Sequence, residues 1–213
     1  LLQDVLDGGE AARIENMLLR EFNNADILLP LKPSSSEILE REEERITHGL
    51  KGALVFEPKV GLFTTPIVYL DFKSMYPSIF VAYNICPTTL LLQKTAVETI
   101  ATPDGSFFVS KKIREGIIPK TVAKLIAERD KVRAEAKQTN DPEKRKLLEA
   151  KQIALKYMTN AFYGYTGYSK ARLYKLAVAN AVTACGRFLI QKTKAIVEED
   201  PQLQVIYGDT DSI

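Results

Sequence analysis

The chain has 213 residues, 46% hydrophobic and 26% charged, with a formal net charge of +2, which is ordinary for a globular protein with a sizeable core. The near-neutral charge excludes nucleic-acid binding through bulk positive charge, so any such contact has to be local. The two cysteines, Cys86 and Cys185, and the single histidine, His48, show no metal-ligand spacing, which disfavours zinc enzymes and Ser-His-Asp hydrolases and favours a reducing, intracellular setting.

The first part of the chain is predicted to contain two helices followed by two strands. Residues 10–24 have helical periodicity, and residues 37–47 indicate a highly charged helix with a solvated face. The Pro- and Ser-rich stretch 30–36 separates them and is the best candidate for a linker. β-favouring runs follow at 53–56 and 66–70. No apolar run reaches the ~20 residues that a membrane span needs.

The middle of the chain predicts an antiparallel helical hairpin. Pro119 suits the first position of a helix that runs to about Gln138. A second helix is expected to be capped by Asp141, to begin at Pro142 and to continue to about Asn160. The tight polar turn between the two helices predicts that they pack side by side.

The remaining elements complete a mixed α+β fold. The stretch 104–110, DGSFFVS, indicates a turn and a short strand. A further helix is predicted over residues 170–199. The apolar run 204–208, QVIYG, is typical of a strand and lies just before the end of the chain.

Polar residues recur at helical spacing in the predicted hairpin. Two sets share a helix face: Arg129, Arg133 and Lys137 on the first helix, and Lys156, Asn160 and Tyr163 on the second. The first set fits either a solvated basic stripe or a binding face. The second is followed by Gly164 and further aromatic and glycine residues, a combination that suits stacking on a base or sugar.

Three aspartates follow apolar runs in places where a carboxylate needs a partner. Asp71 ends the run 66–70, and Asp209 and Asp211 flank one residue at what is predicted to be a hairpin turn. Strand alternation would put Asp209 and Asp211 on the same side, where only a cation makes two like charges favourable. The alternative is an ordinary Asp-rich turn. Carboxylates with basic residues nearby favour Mg²⁺-dependent phosphoryl or nucleotidyl transfer.

Three stretches resemble motifs A, B and C of family B DNA polymerases, in the family's order: DFKSMYPSI (71–79), KYMTNAFYGYTGY (156–168) and YGDTDS (207–212). Within that family, the stretches are similar to those of the archaeal-type replicative enzymes. The resemblance implies an α+β fold, with a palm domain whose antiparallel β-sheet carries catalytic aspartates and a fingers αα-hairpin. The implied domains are a helical segment and linker (1–37), the palm with motif A (38–117), the fingers with motif B (118–166) and the palm up to motif C (167–213).

The resemblance also implies a role for individual residues. The catalytic aspartates would be Asp71, Asp209 and Asp211, and two Mg²⁺ ions would be held at Asp71, Phe72 and Asp211. Nucleotide binding would fall to Ser74, Met75, Tyr76, Arg129, Arg133, Lys156 and Asn160. Contacts to the base pair or primer-template would come from Tyr163, Gly164, Tyr207 and Gly52. Tyr76 matches the tyrosine that excludes a ribonucleotide's 2′-hydroxyl.

The implied function is that of a DNA-directed DNA polymerase that transfers nucleotides from dNTPs to a primer 3′-hydroxyl. The implied partners are primer-template DNA, dNTPs and a sliding clamp bound through regions outside this chain, with no membrane. The location would be cytoplasmic, at the nucleoid, for an archaeal or bacterial source and nuclear otherwise.

Two alternatives compete with this function. An RNA-synthesising or reverse-transcribing enzyme is disfavoured by Tyr76 and by the YGDTDS stretch. A catalytically inactive scaffold that only binds DNA is disfavoured because such a protein has no use for three like-charged carboxylates.

The sequence departs from the family pattern at a few places. Residues 50–53, LKGA, stand where a Tyr-x-Gly-Gly element is usual, Ala161 stands where Ser is common, and Met75 replaces Leu. Because the chain begins without Met and stops directly after motif C, in what is predicted to be a strand, we expect a fragment. We expect it to be inactive alone and to regain activity when grafted into an intact relative.

Overall fold

The protein is described here by a computed structural model of residues 8–213, so the first residues of the predicted segment 1–37 lie outside the described range. Within that range the elements are, in order, α1 (Glu10–Asn23), α2 (Ser35–His48), β1 (Val55–Phe56), α3 (Met75–Ala82), β2 (Leu90–Leu91), β3 (Thr99–Ala101), β4 (Phe107–Val109), α4 (Ile117–Gln138), α5 (Pro142–Thr166), α6 (Leu176–Val197) and β5 (Gly208–Asp209). None of the described helices is long and apolar enough to cross a membrane.

The first two helices form as predicted, but they differ in what they bury. Ile14, Leu18 and Phe22 recur every four residues along α1 and are all buried. By contrast, α2 buries none of its residues. It is stabilised locally by a capping box, in which Glu37 N donates to Ser34 Oγ (3.3 Å) and Ser34 N donates to Glu37 Oε2 (2.7 Å). The interpretation of residues 37–47 as a solvated charged helix is therefore confirmed.

The helical hairpin is also present, formed by α4 and α5. Asp141 caps α5 as predicted, because its Oδ1 accepts from the backbone N–H groups of Glu143 (3.0 Å) and Lys144 (3.2 Å). The helices run antiparallel, as the Lys151–Glu128 ion pair (2.7 Å) between them indicates.

Two predicted ends of these helices are wrong. α4 begins at Ile117, ahead of Pro119, whose missing N–H still falls in the first turn where no partner is needed. α5 continues past Asn160 to Thr166, because Phe162 and Tyr165 are buried and keep the chain helical against the core.

Within residues 8–213 the strands form two small antiparallel sheets. β1 pairs with β5, with Val55 opposite Asp209, and a separate sheet has the order β2-β4-β3. The strands predicted at 66–70 and 204–208 are wrong over most of their length. In the described part of the chain, the run 66–70 forms backbone pairing bonds only at Leu70, and β5 begins only at Gly208.

The main core lies around α6 and the short helix α3. It includes Ile79 and Phe80 of α3 and Val178 and Val182 of α6, all essentially inaccessible to solvent. α6 begins six residues later than predicted, at Leu176, because a series of turns connects α5 to it. Cys86 and Cys185 are both buried, and neither forms a disulfide within the described residues.

Candidate active site

A sharp turn connects Asp71 to α3. Ser74 has φ 53° and ψ 53°, a left-handed conformation that is uncommon for residues other than glycine. It directs the chain at once into α3, where Pro77 occupies the first turn. The Ser74 hydroxyl meets the hairpin, with Arg129 Nη1 donating to its Oγ at 3.3 Å. The Tyr-Pro sequence therefore lies in the first turn of a helix that follows Asp71 closely.

Backbone hydrogen bonds place this turn beside the last residues of the chain. Phe72 N donates to Asp211 O (2.8 Å), and Leu70 and Ile213 exchange bonds of 2.8 and 2.9 Å. Asp71 thereby lies opposite Ser212 in an antiparallel bridge. Two carboxylates that are 140 positions apart in the sequence, Asp71 and Asp211, are brought to one place.

The last residues form a tight turn rather than a continuous strand. Asp209 N donates to Ser212 O (2.9 Å), Ser212 N donates back to Asp209 O (3.0 Å), and Thr210 has φ 55°. The hairpin turn is as predicted, but alternation along a strand does not apply across it. Only Asp211 faces the cavity described next, whereas the Asp209 carboxylate accepts a bond from the Thr210 hydroxyl (2.7 Å).

A cavity of about 480 Å³ brings most of the predicted site residues together. Its lining includes Asp71, Phe72, Ser74, Met75, Tyr76, Arg129, Arg133, Lys156, Asn160 and Asp211. Three further lining residues, Lys73, Pro77 and Thr210, are not among the predicted site residues, although all of them lie inside the quoted motifs. A volume of this size is typical of small-molecule sites.

The charges in this cavity are separated. Asp71 and Asp211 lie on one side, and burial followed by the nearby Asp71 carboxylate raises the pKa of Asp211. Within residues 8–213 neither aspartate forms an ion pair closer than 4.0 Å. The hairpin adds cations to the same lining, Arg129 and Lys156 among them, and Lys156 partly offsets the rise in the pKa of Asp211. Such a site suits an anionic ligand that binds together with metal cations, which the carboxylates would coordinate.

Two tyrosine rings meet at the edge of the cavity. The centroids of Tyr76 and Tyr163 are 4.9 Å apart, with the ring planes inclined by 49°. Burial raises the pKa of Tyr76 to about 12, with smaller contributions from Tyr163 and Asp211. The Tyr76 phenol is therefore neutral at physiological pH and presents a flat apolar face.

The family model for DNA polymerase family B matches residues 1–213. The chain belongs to this family. It is 37% identical over 225 residues to the DNA polymerase delta catalytic subunits of Schizosaccharomyces pombe and Candida albicans, covering 98% of this chain and 20% and 21% of those proteins. The structure of the family B DNA polymerase from the archaeon Pyrobaculum calidifontis has a TM-score of 0.73 and 37% identity, covering 99% of this chain and 26% of that one.

This family B chain thus spans about a fifth of the length of the curated relatives it matches. The resemblance stated from motifs A, B and C is confirmed at the level of the family. The mixture of helices and small antiparallel sheets agrees with the predicted α+β class.

Family B DNA polymerases depend on metal ions, so we ask whether the oxygen donors in the cavity suit a divalent cation. Two unpaired carboxylates that repel one another are hard oxygen ligands of the kind Mg²⁺ prefers. In the described part of the chain, no group of three or more His, Cys, Asp or Glu side chains is arranged as a ready-made metal site. The donors fit a divalent cation whose remaining ligands come from water and substrate.

Several predicted contacts lie outside this cavity. Gly164 lines a neighbouring cavity of about 460 Å³, which Tyr163 and Asn160 also border. Tyr207 borders an apolar groove elsewhere. The carbonyl of Gly52 accepts a bond from Arg187 Nη1 (2.6 Å), which ties it to α6. The roles predicted for these residues in contacting base pairs or DNA remain predictions.

Gly186 of α6 is a site residue that the sequence analysis missed. A Cβ at this position would lie 2.9 Å from Tyr76 Cε1, closer than real Cβ atoms come, and 3.2 Å from Met75 Cε, which is a tight contact. The glycine therefore makes room for the Tyr76 ring. The signal in the sequence was a glycine inside a predicted helix, a position where alanine is favoured by ~1 kcal/mol.

We expect Gly186→Ala to displace the Tyr76 ring. In a chimera that places this chain in an intact family B polymerase, the variant should lower kcat/KM for dNTP incorporation by about 10-fold, because small misplacements in a reacting site are costly. The measurement is single-nucleotide incorporation, with circular dichroism to verify the fold. Gly61→Ala serves as the control, since nothing lies within 4 Å of a Cβ there. Equal kinetics for both variants would show that the Tyr76 ring tolerates the methyl group.

Proposed function

We propose that this chain is the catalytic core of a DNA-directed DNA polymerase, which transfers a nucleotide from a dNTP to a primer 3′-hydroxyl under the direction of a template and releases pyrophosphate. The observation that carries the proposal is the single cavity in which Asp71 and Asp211 face Arg129 and Lys156. Further support comes from family membership and from relatives that are named as polymerase catalytic subunits.

The carboxylates are proposed to hold cations. Asp71 and Asp211, with the backbone of Phe72, would bind two Mg²⁺ ions. When bound, these ions favour the ionised form of the primer 3′-oxygen and neutralise the charge that develops on the pyrophosphate. Asp71 and Asp211 would determine where the ions bind and therefore where the developing charge is neutralised. The backbone bonds between their segments hold the two residues side by side. Asp209 is proposed to support the turn from its position outside the cavity.

The hairpin is proposed to bind the triphosphate. Arg129, Arg133 and Lys156 supply positive charge from two helices, and Asn160 supplies a neutral donor. The N-terminus of α3, whose first residues border the same cavity, adds backbone N–H groups that favour an anion. The phosphates would thus be oriented between the hairpin and the carboxylates, with the α-phosphorus toward Asp71 and Asp211.

The tyrosines are proposed to select the sugar and support the base pair. The Tyr76 ring would lie beneath the sugar and leave no space for a 2′-hydroxyl. Tyr163 contacts that ring and would hold it in place. Gly164 is exposed, with nothing within 4 Å of a Cβ, so a base pair could approach the backbone there closely.

The expected partners are primer-template DNA and dNTPs, with a sliding clamp bound elsewhere in a longer protein. The domain limits 38–117, 118–166 and 167–213 are kept as proposals, and the middle one closely follows the α4–α5 hairpin. The curated relatives reported above are eukaryotic, which supports the nuclear location and gives the archaeal or bacterial alternative no support.

The direct test of the function is a chimeric polymerase in which this chain replaces the matching segment of the Pyrobaculum calidifontis enzyme. Template-dependent primer extension with Mg²⁺ and dNTPs is the expected result. A folded chimera that binds primer-template but does not extend it would favour the DNA-binding scaffold instead.

Removing a cation from the hairpin should weaken the use of dNTPs. For Arg129→Ala and Lys156→Ala in the chimera, we expect the KM for dNTP to rise about 10- to 100-fold, the loss typical of a hydrogen bond to a charged group. Steady-state incorporation over a range of dNTP concentrations measures this. Lys146→Ala, which removes an exposed lysine elsewhere on α5, is the control.

A different result would reassign Arg129 and Lys156. If either variant weakened only the affinity for primer-template, with the dNTP kinetics unchanged, that residue would belong to a DNA-binding surface rather than to the nucleotide site.

A further inference from the structure

An ion pair joins the turn after Asp71 to the hairpin. The Lys73 Nζ lies 3.0 Å from Asp130 Oδ1 and 2.9 Å from Oδ2, so both carboxylate oxygens accept from it. Lys73 lines the cavity, and Asp130 lies on α4 next to Arg129. The two residues are 57 positions apart in the sequence. Only the tertiary structure brings them together.

A second contact lies immediately beside this pair. Arg129 Nη1 donates to Ser74 Oγ at 3.3 Å, so two consecutive residues of α4 meet two consecutive residues of the turn. In both contacts, one partner belongs to the segment that carries Asp71 and the other to the helix that carries the phosphate-binding cations. Together they connect these two segments beside the cavity.

The local charge pattern explains why an acid stands at position 130. Asp130 lies between Arg129 and Lys131, and Arg133 follows one turn later. A neutral residue here would leave Lys73 facing a stretch whose neighbouring acid, Glu128, is already paired with Lys151 (2.7 Å), so the nearby cations would repel it. The carboxylate of Asp130 instead attracts Lys73 and forms the ion pair with it.

We propose that the Lys73–Asp130 pair is a tie that positions the hairpin over the catalytic carboxylates, and that both residues are positioning residues for nucleotidyl transfer. The inference rests on the proposed polymerase function. An exposed pair of this kind contributes little to global stability, since its side chains retain 63% and 45% of their exposure. Its effect on the reaction is larger, because a shift of ~1 Å between reacting groups costs on the order of 10²-fold in rate.

The test compares Lys73→Met, Asp130→Asn, the double variant and the charge swap Lys73→Asp with Asp130→Lys, all in the chimera. We expect each single variant to lower kcat/KM for dNTP by about 10-fold, as a partial misplacement would. The double variant should be no worse than either single one, because both remove the same contact. The swap should restore most of the activity.

A second readout is independent of turnover. Hydrogen–deuterium exchange of the amides around residue 130 on α4 should become faster in both single variants and slow again in the swap. The matched control is Lys124→Met, which breaks the partly exposed ion pair (2.7 Å) between Lys124 of the same helix and Glu21 of α1, outside the cavity. It should leave kcat/KM unchanged.

Two outcomes would contradict the proposal that this ion pair positions the hairpin. If Lys73→Met were damaging, Asp130→Asn normal and the swap inactive, Lys73 would act on the phosphates by itself. If all variants matched the unmodified chimera, the pair would be a surface contact without a role. Failure of the proposed function is recognised separately, because the unmodified chimera would then not extend primers.

Discussion

Replacing Asp71 or Asp211 with alanine is expected to lower primer extension by at least ~10³-fold while DNA binding persists. Removing one group that stabilises developing charge typically costs 10²- to 10³-fold, and here two carboxylates act on the same charge. Their backbone segments are joined by the bond from Phe72 N to Asp211 O, so removal of a side chain should leave the turn intact. Primer extension and electrophoretic mobility shift in the chimera measure the two properties.

The controls separate loss of chemistry from loss of fold. Asp211→Asn should unfold at no lower temperature than the unmodified protein, because it removes a partly buried charge that Asp71 repels. Glu199→Ala, which removes an exposed carboxylate near the end of α6, should extend primers normally. Extension at an unmodified rate by either alanine variant would remove the cation-binding role from that aspartate.

Asp209→Ala is expected to be damaging but milder. Its carboxylate does not line the cavity and accepts the Thr210 hydroxyl instead. A loss as large as that of Asp71→Ala would place Asp209 among the residues that meet the substrate or its cations.

Replacing Tyr76 with alanine is expected to admit ribonucleotides. The ring borders the cavity, packs against Gly186 and contacts Tyr163, so it has little freedom to move away from a 2′-hydroxyl. Its removal should reduce the ratio of kcat/KM for dNTP over rNTP by about 100-fold, the range that steric discrimination supplies in a pocket. Incorporation of dNTPs should fall much less.

The phenylalanine variant provides the matched control for this position. Tyr76→Phe keeps the ring and removes only the hydroxyl, so it should keep the discrimination between dNTP and rNTP. If Tyr76→Ala left the discrimination between dNTP and rNTP unchanged, another residue would be responsible for excluding the 2′-hydroxyl. If Tyr76→Phe lost it, the hydroxyl rather than the ring would be responsible.

The helices and the family could be predicted from the sequence because their signals are local. Periodic apolar residues predicted α1, and Asp141 before Pro142 predicted the start of α5 from contacts within a few residues. The motifs around Asp71 and Asp211 identified the polymerase family without any knowledge of distances. Where a helix end depended on burial, as at Phe162, the prediction was wrong because burial is set by distant parts of the chain.

The tertiary structure alone decided how far each strand pairs and which residues share the cavity. Pairing depends on a partner segment, so residues 66–70 look like a strand in the sequence yet join a hydrogen-bonded bridge only near Asp71. The turn at Thr210 puts Asp211 in the cavity and leaves Asp209 outside it. The Lys73–Asp130 pair and the space at Gly186 join residues far apart in sequence, and no local pattern encodes such a contact.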